Sequence, residues 1–229
     1  NVKIHRPKGF DKNSRNMDSV KYVIFVCLRI HHGFIFIVFS LHLITWNVAT
    51  RFPEAGLNLG SLLQNSSPDL VLFGLQEVKS QPQNILADAL LEGEDPWTSS
   101  LRSSLAPLGY VKVKTIRLLG TVVSLFSLVK HIPHIRGLET QFTRLGLGGY
   151  WVRDRNSCPI FFFTISFIFQ GNKGCVSVRW SMYGVSMVVV CSHLAAHGHM
   201  NHERIASYNT VLGSHKYGNK QTELILYHE

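Results

Sequence analysis

The sequence predicts an α/β (α+β) fold in which a mixed β-sheet sandwich is flanked by helices. Short β-branched and aromatic segments mostly follow one another directly, and only a few helical segments lie between them. The 229 residues, of which 45% are hydrophobic and 16% charged, suffice for one sizeable domain with a buried core. The pattern therefore favours one domain with mixed sheets over a strictly alternating parallel fold.

Segments with the composition of strands lie, in order, at residues 20–30, 43–49, 69–78, 110–117, 120–129, 174–180 and 185–193. The run at 69–78 (DLVLFGLQEV) is almost entirely apolar, which is typical of a strand buried on both faces. Residues 110–117 alternate polar and apolar side chains, and a tight turn at Gly120 leads into the next strand. The last two segments flank residues 181–184 (SMYG) and are predicted to form an antiparallel hairpin.

Helical patterns are found at residues 84–91, 97–105 and 202–212. The second predicted helix has Thr98 or Ser99 as its N-terminal cap. Two mostly apolar stretches, at residues 33–46 and 158–169, are shorter than the ~20 residues that a membrane-spanning helix needs. Neither stretch is therefore predicted to cross a membrane.

The formal net charge of +9 at pH 7 indicates an acidic partner. Nucleic acid, an anionic membrane surface and a phosphorylated small molecule all fit this charge. The basic residues are scattered along the chain, which disfavours a disordered nucleic-acid-binding arm. The four cysteines show no C-x-x-C spacing, which indicates buried or free thiols in a reducing compartment.

Two polar side chains end predicted strands: Asn47 in TWNV and Glu77 in LQEV. A Mg²⁺ ion needs oxygen ligands on rigid elements, typically one or two carboxylates together with water and substrate phosphate. Asn47 and Glu77 at adjacent strand ends would meet that need. Taken alone, each residue is more typical of a solvated strand end or a turn.

A further polar cluster brackets the predicted hairpin. Residues 171–174 (GNKG) precede it, and its far strand ends in SHLAAH, residues 192–197. Glycines let the backbone approach a ligand closely, and lysine supplies a point charge for a phosphate. The G-x-x-x-x-G-K-[ST] motif of nucleotide-binding loops is absent. Zinc binding is an alternative for the nearby histidines, although no H-E-x-x-H helix is present: His193, His197, His199 and His202.

Taken in order, TWNV, PDLVLFGLQEV, GNKGCVSVRW and SHLAAH, followed by Asn201 and Arg204, resemble the inositol polyphosphate 5-phosphatases, most of all the skeletal-muscle- and kidney-enriched type. The resemblance covers about residues 43–151 and 171–229. It implies the deoxyribonuclease-like fold of the endonuclease/exonuclease/phosphatase superfamily. It also implies Mg²⁺-dependent hydrolysis of the 5-phosphate of phosphoinositides or inositol polyphosphates.

The resemblance assigns roles to six residues. It implies metal binding by Asn47 and Glu77, contact with the scissile phosphate by His193, and substrate binding by Asn172, Lys173 and His197. In such a site, metal and cationic groups neutralise the phosphoryl oxygens while a positioned water attacks in line. The implied partner is a phosphoinositide lipid or inositol phosphate, not nucleic acid. The implied location is cytoplasmic and peripheral at anionic membranes.

The chain departs from the family pattern in two ways. The family continues with G-D-x-N, W-x-D-R and an Asp-His pair, which this sequence lacks, so we expect a truncated, inactive and poorly folded fragment. Residues 152–170 (VRDRNSCPIFFFTISFIFQ) separate GLGGYW from GNKG, and we expect them to be intron-derived. The alternative is a hydrophobic loop, which would be an aggregation liability. Residues 31–42 are a second candidate insertion.

Two other functions compete with this interpretation. A nuclease of the same superfamily would share the Asn47 and Glu77 positions, but GNKG and SHLAAH are typical of the inositol phosphatase branch. A non-catalytic fragment could instead bind anionic membranes or a protein partner through half of the phosphate site. A gene-model error would predict no function at all.

Overall fold

The computed structural model describes residues 3–5, 17–30, 33–63, 66–78, 94–145, 173–194 and 201–217. This part of the chain contains nine β-strands and two α-helices. The strands are β1 (Lys3–His5), β2 (Met17–Ile30), β3 (Gly33–Asn47), β4 (Leu70–Gln76), β5 (Tyr110–Leu118), β6 (Thr121–Leu128), β7 (Ile135–Arg144), β8 (Gly174–Met182) and β9 (Val185–His193). The helices are α1 (Pro96–Leu105) and α2 (Asn201–Ser214).

The strands form two sheets that pack face to face. Six strands make the larger sheet, in the order β1-β2-β3-β4-β6-β5, and three make the smaller, in the order β7-β8-β9. The β3–β4 pair is parallel, whereas every other pair is antiparallel. This sandwich with one mixed sheet confirms the predicted fold class. Because β3 and β4 run in the same direction, both strands end at the same edge of the sheet.

The central strand β4 is buried on both faces, as its apolar run predicts. On one face, Phe73 packs with Trp46 of β3 and with α1. On the other face, Leu72 contacts the core between the two sheets, which includes Trp180. Complete burial of a large apolar side chain contributes roughly 1.5–3 kcal/mol, so this strand anchors the sandwich. Its far end therefore offers a rigid support for polar groups.

Helix α1 covers the outer face of the larger sheet, and its cap differs from the predicted one. Asp95 Oδ1 accepts hydrogen bonds from the backbone N–H groups of Trp97 and Thr98, each at 3.1 Å, and Pro96 occupies the first turn. Thr98 instead lies within the first turn, where its hydroxyl donates to Asp95 Oδ2 at 2.5 Å. The predicted cap at Thr98 or Ser99 is therefore wrong, because a carboxylate before proline satisfies the first N–H groups.

Strand β3 is much longer than predicted, and strand β7 is absent from the predicted strands. Strand β3 begins at Gly33 because it pairs with β2 from Gly33 through Trp46. The candidate insertion at residues 31–42 thus largely lies within a strand. Strand β7 (IRGLETQFTR) was not predicted, since it is rich in polar residues and its pairing is interrupted by a bulge between Arg136 and Glu139. The predictions for residues 84–91 and 152–170 lie outside the described residues.

Helix α2 and the segment that follows it pack on the outer face of the smaller sheet. His215 is fully buried there, and its Nδ1 lies 2.8 Å from Thr143 Oγ1 while its Nε2 lies 2.5 Å from Ser177 Oγ. The Tyr217 hydroxyl lies 2.5 Å from the same Ser177 oxygen. Burial lowers the pKa of His215 from 6.5 to about 4. No described helix is long and apolar enough to cross a membrane.

Candidate active site

Four of the six predicted site residues lie at one end of the sandwich. Asn47 ends β3, where it pairs with Gln76, and Glu77 directly follows β4. His193 ends β9 opposite Gly174, and Lys173 directly precedes that glycine. Both sheets therefore contribute residues to the same edge.

The amide of Asn47 orients the carboxylate of Glu77. Asn47 Nδ2 donates a hydrogen bond to Glu77 Oε1 at 2.9 Å. The Asn47 Oδ1 atom accepts from the backbone N–H of Ala49 at 2.9 Å, which fixes the orientation of the amide. The pair thus presents a carboxylate and an amide oxygen at two adjacent strand ends.

The backbone at Glu77 adopts a conformation that is unusual for a residue with a side chain. Its φ is +56°, in the left-handed region, and Ala49 and Thr50 in the facing turn have φ values of +50° and +60°. Thr50 N–H donates to the Glu77 carbonyl at 2.8 Å, which ties the two turns together. Such conformations cost about 1–3 kcal/mol each and are typical of functional sites. The turn redirects the Glu77 side chain away from the strand's regular alternation.

Lys173 and His193 form the second half of the site. Lys173 Nζ lies 2.7 Å from His193 Nε2, and the same Nε2 lies 3.6 Å from Glu77 Oε1. Lysine can only donate, so Nε2 accepts and the ring proton is assigned to Nδ1 in this arrangement. Burial lowers the pKa of Lys173, whereas the negative charge of Glu77 raises it. A chain of contacts therefore runs from Asn47 through Glu77 and His193 to Lys173.

The remaining two predicted residues, Asn172 and His197, lie outside the described residues. The roles assigned to all six residues stay predictions, although four of the residues lie in one chain of contacts. Sequence reasoning missed Gln76, whose Nε2 lies 3.2 Å from Cys191 Sγ on the opposite sheet. Its position next to Glu77 at a strand end was the one available signal.

The oxygen atoms of Asn47 and Glu77 fit a hard divalent cation. The Glu77 side chain is one-third exposed, so its carboxylate is accessible from solvent. Within the described ranges, no group of three His, Cys, Asp or Glu residues could hold a metal ion. Magnesium commonly binds through one or two carboxylates and takes water and phosphate oxygens as its other ligands, which matches this donor set. The zinc alternative depends on His197 and His199, beyond the described residues.

Comparison with known proteins identifies relatives of this chain. The model of the endonuclease/exonuclease/phosphatase family 2 matches residues 44–228. Mouse phosphatidylinositol 4,5-bisphosphate 5-phosphatase A is 33% identical over 195 residues, which are 83% of this chain and 17% of that protein. Mouse inositol polyphosphate 5-phosphatase K is 32% identical over 194 residues, 83% of this chain and 36% of the relative.

A solved structure shows the same fold. The inositol polyphosphate 5-phosphatase domain of SPsynaptojanin, crystallised with inositol (1,4)-bisphosphate and a calcium ion, matches with a TM-score of 0.59 at 19% identity. The match covers 95% of this chain and 52% of that one. The chain thus spans about half of the solved domain and still less of its curated relatives. It belongs to the endonuclease/exonuclease/phosphatase family 2, and the relatives it is similar to include inositol polyphosphate 5-phosphatases.

Proposed function

We propose that this chain carries part of the active site of a Mg²⁺-dependent phosphatase that removes the 5-phosphate of phosphoinositides or inositol polyphosphates. The observation that carries the proposal is the chain of contacts from Asn47 to Lys173, which combines oxygen donors with cationic groups. The named activities of the relatives support the reaction. The calcium ion and inositol bisphosphate in the solved domain support a divalent cation and an inositol phosphate ligand.

Each residue has a distinct task in this proposal. Asn47 and Glu77 hold the cation, and Asn47 keeps the carboxylate oriented. When bound, Mg²⁺ would neutralise charge that develops on the phosphoryl oxygens. Lys173 Nζ lies 2.7 Å from His193 Nε2. When substrate enters, Lys173 would donate to a phosphate oxygen instead, and His193 would donate to the same phosphate once its Nε2 carries a proton. Fixed groups of this kind stabilise the transition state because they need no reorganisation during the reaction.

The isolated chain is proposed to bind substrate but to hydrolyse it slowly or not at all. It spans about half of the solved domain, and in this proposal the other half of such a domain would supply further catalytic groups. When catalytic groups act as a unit, removal of one of them abolishes most of the effect of all, and kcat often falls by a factor of about 10⁴ or more. The proposed location is cytoplasmic and peripheral at anionic membranes, and the net charge of +9 supports attraction to an anionic surface.

Binding of a 5-phosphorylated inositol phosphate, measured by titration calorimetry, tests this function. With Mg²⁺ present, we expect binding that is lost when the 5-phosphate is replaced by a hydroxyl and that is weakened at least about tenfold by Lys173→Ala, which removes a charged hydrogen bond. Lys114→Ala, an exposed residue in β5, is the matched control and leaves affinity unchanged. Equal affinity for the 5-hydroxyl compound, or tighter Mg²⁺-dependent binding of a DNA oligonucleotide, would refute the proposal.

A non-catalytic role at anionic membranes is the second candidate. It is favoured by the Lys173–His193 pair, in which the lysine supplies a positive charge for an anion. Co-sedimentation with vesicles that contain anionic lipid, but no 5-phosphate, separates this role from the first. Binding to those vesicles that Lys173→Ala abolishes, with no preference for the 5-phosphate, would support it.

A further inference from the structure

Cys191 and His193 lie two residues apart on β9 and therefore point to the same face of the smaller sheet. That face is turned toward the larger sheet, because Cys191 is part of the core between the sheets. Both residues are largely buried. Contacts of Cys191 with the larger sheet consequently control where His193 stands relative to Glu77.

Cys191 contacts β4 at an unusually close approach. A Cβ atom placed on Gly74 would lie 2.8 Å from Cys191 Sγ and 3.3 Å from Cys191 Cβ. Real Cβ atoms essentially never come within 3.0 Å of such a neighbour, so a larger residue at position 74 would displace the Cys191 side chain or the two strands. Glycine at this position thus allows the separation that the structure shows.

Gln76 reinforces the same contact with hydrogen bonds. Its Nε2 lies 3.2 Å from Cys191 Sγ, 2.9 Å from Thr45 Oγ1 and 3.1 Å from the Gly74 carbonyl. One side chain therefore joins β3, β4 and β9. Gln76 directly precedes Glu77 in the sequence, and its partner Thr45 lies two residues before Asn47.

We propose that Gly74, Gln76 and Cys191 form a positioning element that sets the distance between Glu77 and His193. None of the three needs to touch the substrate. They hold the oxygen donors on the larger sheet against the phosphate-binding groups on the smaller sheet. The inference rests on the proposed function, because it assumes a cation at Glu77 and a phosphate at Lys173 and His193.

The distance between Glu77 and His193 matters because an oxygen atom of the bound phosphate must also reach the cation. A phosphate held by Lys173 and His193 can bind the cation on Glu77 only while the two sheets keep their spacing. Misplacement by about 1 Å is enough to cost a factor of about 100 in comparable sites. Widening the gap would leave each half able to bind its own ligand but would uncouple the two.

Coupling between Mn²⁺ and inorganic phosphate gives the direct test, with free Mn²⁺ followed by electron paramagnetic resonance. In the wild type, phosphate is expected to tighten Mn²⁺ binding by at least about fivefold, a typical coupling factor. Gly74→Ala and Gln76→Met are expected to reduce this factor to below about twofold. Mn²⁺ affinity without phosphate should remain within about twofold of the wild type, since Glu77 and Asn47 are intact.

Two further variants distinguish positioning from general stability. Cys191→Ser is nearly isosteric, keeps an acceptor for Gln76 and should retain the coupling. Val178→Leu adds one methylene at a fully buried position between the same sheets, farther from the site. It is expected to lower the thermal unfolding temperature yet keep the coupling between phosphate and Mn²⁺. If the Gly74 contact acted only through general stability, this destabilised variant would lose the coupling as well.

The outcomes separate this inference from the proposed function. Wild-type coupling that survives in both Gly74→Ala and Gln76→Met, with Mn²⁺ bound, overturns the positioning role alone. A coupling lost equally in Val178→Leu also overturns it. A Glu77→Gln variant that binds Mn²⁺ as tightly as the wild type overturns the proposed site and the inference with it. The same holds if phosphate does not change the Mn²⁺ affinity of the wild type.

Discussion

At the scale of single residues, the site depends on side chains whose orientation is fixed by a neighbour. Asn47 is an example, because its own amide is held by Ala49 N–H before it donates to Glu77. Glu77 in turn keeps a left-handed backbone conformation, and the bond from Thr50 N–H in the facing turn to its carbonyl supports this conformation. A residue that orients a metal-binding side chain therefore matters to the site nearly as much as that side chain itself.

Asn47→Ala is predicted to weaken Mn²⁺ binding by at least about 10-fold. The change removes a proposed oxygen ligand together with the hydrogen bond that orients Glu77, and loss of an orienting partner alone typically costs about 10- to 100-fold. Stability should change little, since the amide lies at the end of a strand. Asn58→Ala is the matched control: Asn58 also accepts a backbone N–H bond, from Gly60 at 3.0 Å, but lies outside the site. Calorimetric Mn²⁺ titration of both variants checks the prediction, and equal affinities would contradict it.

At the scale of elements, short polar contacts decide where helices begin and how they dock. Asp95 caps α1 with two backbone bonds, and α1 in turn carries Trp97, whose Nε1 donates to the Arg51 carbonyl at 2.9 Å. That contact supports the loop after β3, next to Asn47. The cap therefore acts on the site through one helix and one loop.

Asp95→Ala is predicted to lower the free energy of unfolding by about 1 kcal/mol, the usual cost of losing a cap. Ser99→Ala tests the alternative cap that the sequence suggested, and its effect should be near zero. Urea unfolding followed by circular dichroism measures both. A larger loss in Ser99→Ala than in Asp95→Ala would show that the helix begins elsewhere.

The docking of α2 is predicted to depend on pH through His215. Its folded pKa of about 4 lies below the ordinary 6.5, so the neutral ring stabilises the fold fully above pH 6.5. That contribution is lost as the pH falls from 6.5 through 4, because the unfolded chain takes up the proton first.

Unfolding temperatures measured between pH 7 and pH 4 check this prediction. His215→Gln should be less stable than the wild type at pH 7 and should lose less stability across the window. His202→Gln, at an exposed position on α2, should keep the wild-type pH dependence. Identical pH dependence in the wild type and His215→Gln would show that His215 is not the group responsible.

At the scale of the whole molecule, the two sheets are joined by polar contacts at both ends. At the end away from the site, His131 Nε2 lies 2.7 Å from Asp69 Oδ1 and its Nδ1 lies 2.9 Å from the Tyr183 hydroxyl in the β8–β9 turn. Burial raises the pKa of Asp69, but hydrogen bonds from Lys130, His131 and Ser40 outweigh it and leave the pKa at about 2. At the site end, Gln76 and Cys191 make the second link.

The sequence predicts the site residues better than it predicts the residues and strands that hold them in place. Four ordered motifs identify Asn47, Glu77, Lys173 and His193, because each motif is local and chemically distinctive. The contact between Gln76 and Cys191 joins residues 115 positions apart, which no local pattern reveals. The polar strand β7 escaped prediction for a related reason: its pairing with β8, rather than its own composition, makes it a strand.

The most direct test of the site is a crystal structure grown with Mn²⁺ and inorganic phosphate, with the ion located by its anomalous scattering. The account predicts an anomalous peak at about 2.2 Å from a Glu77 carboxylate oxygen, the usual range for such ions. The phosphate should bridge that peak to Lys173 Nζ and His193 Nε2. An ion bound away from Glu77, or a phosphate that contacts neither Lys173 nor His193, would contradict it.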